Sequence, residues 1–210
     1  MKIVHAFIAL LFVTAAANAQ TKKISAARGN FNRLLNQAHL TFKSPLGAIE
    51  TPVVKNKEIN YHYALKYPKR GLEIRYLVVP FTGKPVKLKP APAGKFLGSI
   101  DTAIIHKFDN YSMKLATNAG GGIKDKNIQM GGFPADVCKK DFGADRVSYW
   151  MIPVKNNSFG TSYKFCNMVA IHKDNAGEVY VFYLCNSIGD LTKAFKEIGP
   201  HNIYYSLRFK

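Results

Sequence analysis

Between Tyr163 and Cys185 the chain carries two almost continuously apolar stretches around one polar turn, Lys173-Asp-Asn-Ala-Gly177. Side chains alternate across a strand, so a hairpin with one wet face alternates apolar and polar residues. This one does not. Pairing it about its turn puts Phe165, Val169, Ile171, Tyr180, Phe182 and Leu184 on one side. Cys166, Met168, Ala170, Val179, Val181, Tyr183 and Cys185 then share the other. Two apolar faces require a place inside a sheet, with a layer of structure above and another below.

The remaining segments supply those layers. A second hairpin alternates through Tyr61, Tyr63, Leu65 and Tyr67, turns at Pro68-Lys-Arg-Gly71, and returns through Leu72, Ile74, Tyr76 and Val78. That register sets Lys66 opposite Glu73 and gives the hairpin one buried, aromatic face. Helical spacing appears at Phe31 to Leu40, at Ser99 to Ala119, after Pro134 with Val137, Cys138 and Phe142 inward, and from Asp190 through Ile198. Gly120-Gly-Gly122 ends the longest helix. Val147 to Val154 and Tyr204 to Phe209 read as strands, and Thr41 to Val54 as extended chain. The Lys-Pro mixture from Phe81 to Gly98 reads as an extended loop within one domain. Antiparallel strands separated by helices predict an α+β fold, a mainly antiparallel sheet covered by helices on both faces. One domain is expected over 31–210, after a flexible stretch at 20–30.

Residues 1–19 have the form of an export signal. Lys2 precedes an apolar run from Ile3 to Val13, and Ala17-Asn18-Ala19 is a small-x-small cleavage site. The run is too short to cross a bilayer core of about 30 Å, and no transmembrane segment is expected. Export to the periplasm or beyond takes the chain away from nucleotide cofactors and chromosomal DNA. It also gives its charge a direction: 30 Lys and Arg face 13 Asp and Glu, a formal +17, of which the leader holds only Lys2. The expected partners are an anionic polymer, a membrane surface or an acidic protein, with no specific nucleic acid. The surface expected to meet them is Lys66, Lys69, Arg70, Arg75, Lys84, Lys87 and Lys89, interleaved with tyrosines of the first hairpin.

Residues suited to chemistry are sparse. Cys166 and Cys185 face each other if the apolar hairpin is symmetric about its turn, and an oxidising compartment would let them bridge. Two buried thiols are the alternative. Cys138 has the neighbours of a packed core residue and no protease-type signature around it. The histidines stand singly, with neither Cys-x-x-Cys nor His-x-x-x-His, so no metal and no cofactor is expected. The Gly120 and Gly131 runs lack the spacing of a phosphate loop and read as helix stop and turn. Phe133, Asp136, Cys138 and Asp141 could line a pocket.

Thr41-Phe-Lys-Ser-Pro-Leu-Gly47, the Tyr61 to Tyr76 hairpin and the stretch from Val179 to Arg208 resemble, in element order, the PsbP/Mog1-like α/β/α sandwiches. The resemblance implies a small, non-enzymatic binding or assembly factor. An exported, soluble accessory or binding protein is therefore the leading expectation. An exported hydrolase with an unrecognised site and an inhibitor or immunity-type partner of a secreted protein stand beside it.

Overall fold

The computed structural model describes residues 21, 23–81, 98–122, 127–155, 157–199 and 203–210. The leader expected at 1–19, and Lys84, Lys87 and Lys89, lie outside them. Seven strands form one antiparallel sheet: β2 (Ile49–Glu50), β3 (Tyr63–Tyr67), β4 (Leu72–Pro80), β8 (Gly177–Cys185), β7 (Phe165–Lys173), β6 (Arg146–Pro153) and β5 (Gln129–Gly132), in that spatial order. The doubly apolar hairpin is β7–β8, flanked by β6 and β4, and every residue of β8 is buried.

Two cores cover the two faces. On one, Phe31, Leu34 and Leu35 of α1 (residues 23–37), Leu191 and Ala194 of α4 (Ile188–Ile198) and the segment from Ile203 to Phe209 pack on Tyr63, Ile74, Val169, Val181 and Tyr183. A short α3 (Ala135–Val137) that widens into a π turn (Cys138–Phe142) completes that layer through Cys138 and Phe142. On the other, Phe108, Leu115, Ala116 and Ala119 of α2 (Gly98–Ala119) meet Trp150, Met168, Tyr180 and Phe182. The fold is α+β, an antiparallel sheet between helical layers. No helix of the described residues is long and apolar enough to cross a membrane.

The register of β7–β8 overturns the expected bridge. Lys173 pairs with Gly177, so the loop is the three residues 174–176, with Asn175 in the left-handed region at φ 60°. An odd loop shifts every pair by one from a turn centred between residues. Phe165, not Cys166, lies opposite Cys185, and Cys166 faces Leu184. One residue of slip exchanges faces. Cys166 joins the α2-side core with Leu184, Phe182 and Tyr180, whereas Cys185 joins the opposite core with Tyr183, Val181 and Val179. The sheet stands between the two sulfurs, and all three cysteines are free and buried.

The first hairpin keeps its expected register, with Lys66 opposite Glu73. Its second face is not wet, because Ala64 and Leu77 enter the α2-side core and Glu73 and Arg75 are buried beside them. Tyr61 also belongs to that core, ahead of the first paired residue, Tyr63. Helix α1 reaches back through 23–30, where a flexible stretch was expected, and the Arg28–Glu50 ion pair at 2.8 Å ties it to the edge strand. Gly131-Gly132 is sheet edge, not turn. A Cβ on Gly131 would come within 2.5 Å of the Tyr149 ring, so a bare backbone lets this edge close on β6. The last strand, β9 (Leu207–Phe209), leaves the main sheet and pairs with β1 (Leu40–Phe42) in a two-stranded ribbon.

Candidate functional site

The structure divides the residues expected to form one cationic surface. Arg75 lies in the core at 1% exposure. Its Nε donates to Glu73 Oε1 at 2.7 Å, and its Nη atoms donate to the carbonyls of Phe159 and Gly160. The guanidinium also lies 4.6 Å from the Tyr61 ring centroid and 4.7 Å from that of Phe159. A planar, weakly hydrated cation suits this slot because its fork satisfies a carboxylate and two carbonyls while its faces stack on rings. Arg75 is thus a structural clasp for the 158–160 turn, in which Phe159 and Gly160 both have positive φ. It is not part of a surface.

Lys69 and Arg70 do reach solvent at the first hairpin's turn. They rim a cleft of about 560 Å³ shared with Asn186, Asp190, Lys193 and Glu197. Arg70 Nε donates to Glu197 Oε2 at 2.8 Å, and Lys193 approaches the same carboxylate. Charges of both signs alternate here, so the cleft holds little net field. Lys66 is half-buried on β3.

The proposed pocket of Phe133, Asp136, Cys138 and Asp141 is dispersed. Phe133 packs on Phe142, Tyr149 and Tyr204. Cys138 is a core residue whose Sγ donates to the Phe133 carbonyl, and burial raises its thiol pKa. Asp136 is exposed, and burial raises the Tyr205 phenol, helped by Asp141, which takes its hydroxyl. Burial also raises Cys166, and lifts Cys185 to about 12. None of the three sulfurs has the thiolate character a nucleophile needs.

One polar constellation was not legible beforehand. His172 on β7 faces Glu178 on β8, with Nδ1 3.4 Å from Oε1, while Nε2 meets Asp174 Oδ1 at 3.0 Å. Tyr180 donates to Glu178 Oε2 at 2.6 Å, and the imidazole sits between Phe81 and Phe108. Burial opposes the charged ring, but the two carboxylates outweigh it and the His172 pKa is raised. Arg146, paired with His172 in the sheet, reaches Asp109 of α2 at 2.9 Å. These contacts clamp α2 onto the hairpin. His172 and Glu178 stand six residues apart in sequence, and only the three-residue loop makes them neighbours.

Two further clefts of about 530 Å³ open on either side of α1. In one, His62 Nδ1 accepts the Val78 N–H beyond the end of β3, and burial, helped by Arg33, lowers the pKa of this imidazole. The ring replaces a missing strand residue. Among the described residues no group of three His, Cys, Asp or Glu could hold a metal.

No family model matches the chain, and no curated protein matches it. Among solved structures it is similar to that of cyanobacterial PsbP (CyanoP) from Synechocystis sp. PCC 6803. The identity is 14%, over 83% of this chain and 88% of that one, with a TM-score of 0.44.

Proposed function

We propose that this chain is an exported, non-catalytic binding protein that engages an anionic partner through its surface charge. One observation carries the reading: the ionisable groups divide between two populations. Those inside are spent on each other, as in Arg75 with Glu73 and His172 with Asp174 and Glu178. The outside holds a large surplus of lysine, including exposed Lys43, Lys139, Lys140 and Lys210. Side chains that could act as nucleophile or base hold structure together instead, while the positive charge faces solvent. At +17 over the whole chain, that surplus attracts polyanions and speeds their encounter within a Debye length of roughly 8–10 Å.

The test is retention. The protein, immobilised and exposed at low salt to the exported fraction of its own cells, should hold back an acidic protein, glycan or lipid that high salt releases. A fraction that passes through unchanged at low salt, with nothing eluted afterwards, defeats the proposal.

A further inference from the structure

The β1–β9 ribbon gathers cations that the sequence keeps far apart. Leu40, Phe42, Leu207 and Phe209 turn inward, which leaves Thr41, Lys43, Arg208 and Lys210 on the outward face. Thr41 pairs with Arg208, and its hydroxyl donates to the Arg208 carbonyl at 3.0 Å. The ribbon continues at each end through Lys43 N–H to Ser206 and Lys210 N–H to His39. Outward residues of one strand recur about every 7 Å, so Lys43, Arg208 and Lys210 form a row with His39 at one end. The row then widens, because the Arg208 guanidinium donates to the carbonyls of Lys140 and Lys139 at the end of the π turn. That contact brings two more exposed lysine residues alongside.

Five cations thus meet from three segments, 39–43, 139–140 and 208–210. Among the described residues none of the five makes an ion pair. Asp141, next to Lys140, is engaged by Tyr205. Like charges this close repel within a Debye length, and a row of anions relieves that repulsion. The arrangement also tells what kind of anion. Arg208 spends its fork on main-chain carbonyls, and the lysines are point charges, so nothing here reads a bidentate geometry. The ribbon's outward face is polar throughout, with no apolar surface to enter a bilayer; exposed Leu46 in the following turn is a single side chain.

We infer that the face formed by Lys43, Arg208, Lys210, Lys139 and Lys140 is a docking strip for a flexible, linear, phosphate- or sulfate-bearing polymer, held by charge alone. The inference rests on the proposed binding role and gives it a place.

The experiment measures binding of the whole chain to inorganic polyphosphate and to dextran sulfate across a salt series. Three proteins are compared: wild type, K43Q/K139Q/K140Q/K210Q, and K69Q/R70Q at the first hairpin's turn. Five contacts predict a slope of log K on log salt near −3.5, at roughly −0.7 per neutralised charge on a single-stranded polyanion. The quadruple variant retains Arg208 and so should keep the ribbon docked. Its slope should fall to about −0.7 and its low-salt affinity by tenfold or more, for both polymers, with an unchanged melting temperature. K69Q/R70Q should match wild type.

Loss of binding in K69Q/R70Q with retention in the quadruple variant would overturn the strip while leaving the binding role standing. Binding to phosphatidylglycerol vesicles with neither polymer retained would overturn the polymer assignment. Binding to neither polymer nor vesicles, with a partner still captured from the exported fraction, would overturn the strip alone. No capture at all would remove the binding role as well.

Discussion

Replacing Arg75 with alanine strikes the most deeply buried charge among the described residues. The substitution leaves the Glu73 carboxylate, itself 8% exposed, with no counter-charge, and it takes the donor from the buried Phe159 carbonyl. Breaking a buried pair from one side costs about 3–5 kcal/mol. An orphaned main-chain acceptor adds about 1–3, and the two stacked rings lose their cation, about 0.5–2 more. These contributions overlap, so the expected loss is about 5 kcal/mol, a large share of a domain's stability. With a urea dependence of about 2 kcal/mol per molar, the unfolding midpoint should fall by about 2.5 M. Trp150, the chain's single tryptophan and 1% exposed, reports the transition by fluorescence. The double change E73L/R75M removes both charges and their desolvation at once, and should lose far less, within about 2 kcal/mol of wild type. A loss below about 1 kcal/mol in R75A would refute the clasp. So would equal losses in the single and double variants, because the penalty would then be lost packing and not a stranded charge.

Three further outcomes follow from particular contacts. Thiol titration under denaturing, non-reducing conditions should count three free cysteines, and the native protein should react slowly at all of them; a count of one would mean that the sulfurs are not on opposite faces. His172 has a raised pKa in the fold, so its stabilising charge is fully present below the unfolded value near 6.5 and is lost as pH rises through the folded one. Wild-type stability should therefore decline above about pH 6.5, and H172Q should flatten that decline; parallel profiles would show that Asp174 and Glu178 do not hold a protonated ring beside the cationic Arg146. Gly143 closes the π turn at φ +61°, and a Cβ there would strike the Phe209 carbonyl, so G143A should cost at least about 2 kcal/mol by strain and by pushing β9 away. An unchanged melting temperature in G143A would contradict this packing.

The apolar hairpin, the long helix ended by Gly120-Gly-Gly122 and the final helix before Gly199 were legible because each follows a local rule: alternation, helical spacing, a stop signal. The first hairpin's register was legible too, since its turn residues mark the centre. The register that sets Cys166 and Cys185 on opposite faces was not, because choosing between even and odd loops depends on whether Asn175 takes a left-handed φ. Arg75 misled for a different reason. Charge in a strand pattern reads as solvent-facing, yet Glu73, two residues away, shares its face and turns the pair inward against Tyr61 and Phe159.

By itself the sequence determined the central placement of β7–β8, the layered α+β architecture and the strong positive charge. Each depends on which residue types recur at short intervals along the chain. Tertiary structure alone decided which of the described cations become neighbours. Lys43, Lys139, Lys140, Arg208 and Lys210 become neighbours only when β9 leaves the main sheet to pair with β1 and Arg208 reaches the end of the π turn. Periodicity reports which face a side chain takes within its own element. The meeting of residues from distant segments depends on how those elements pack, and short-range patterns in the sequence do not carry that information.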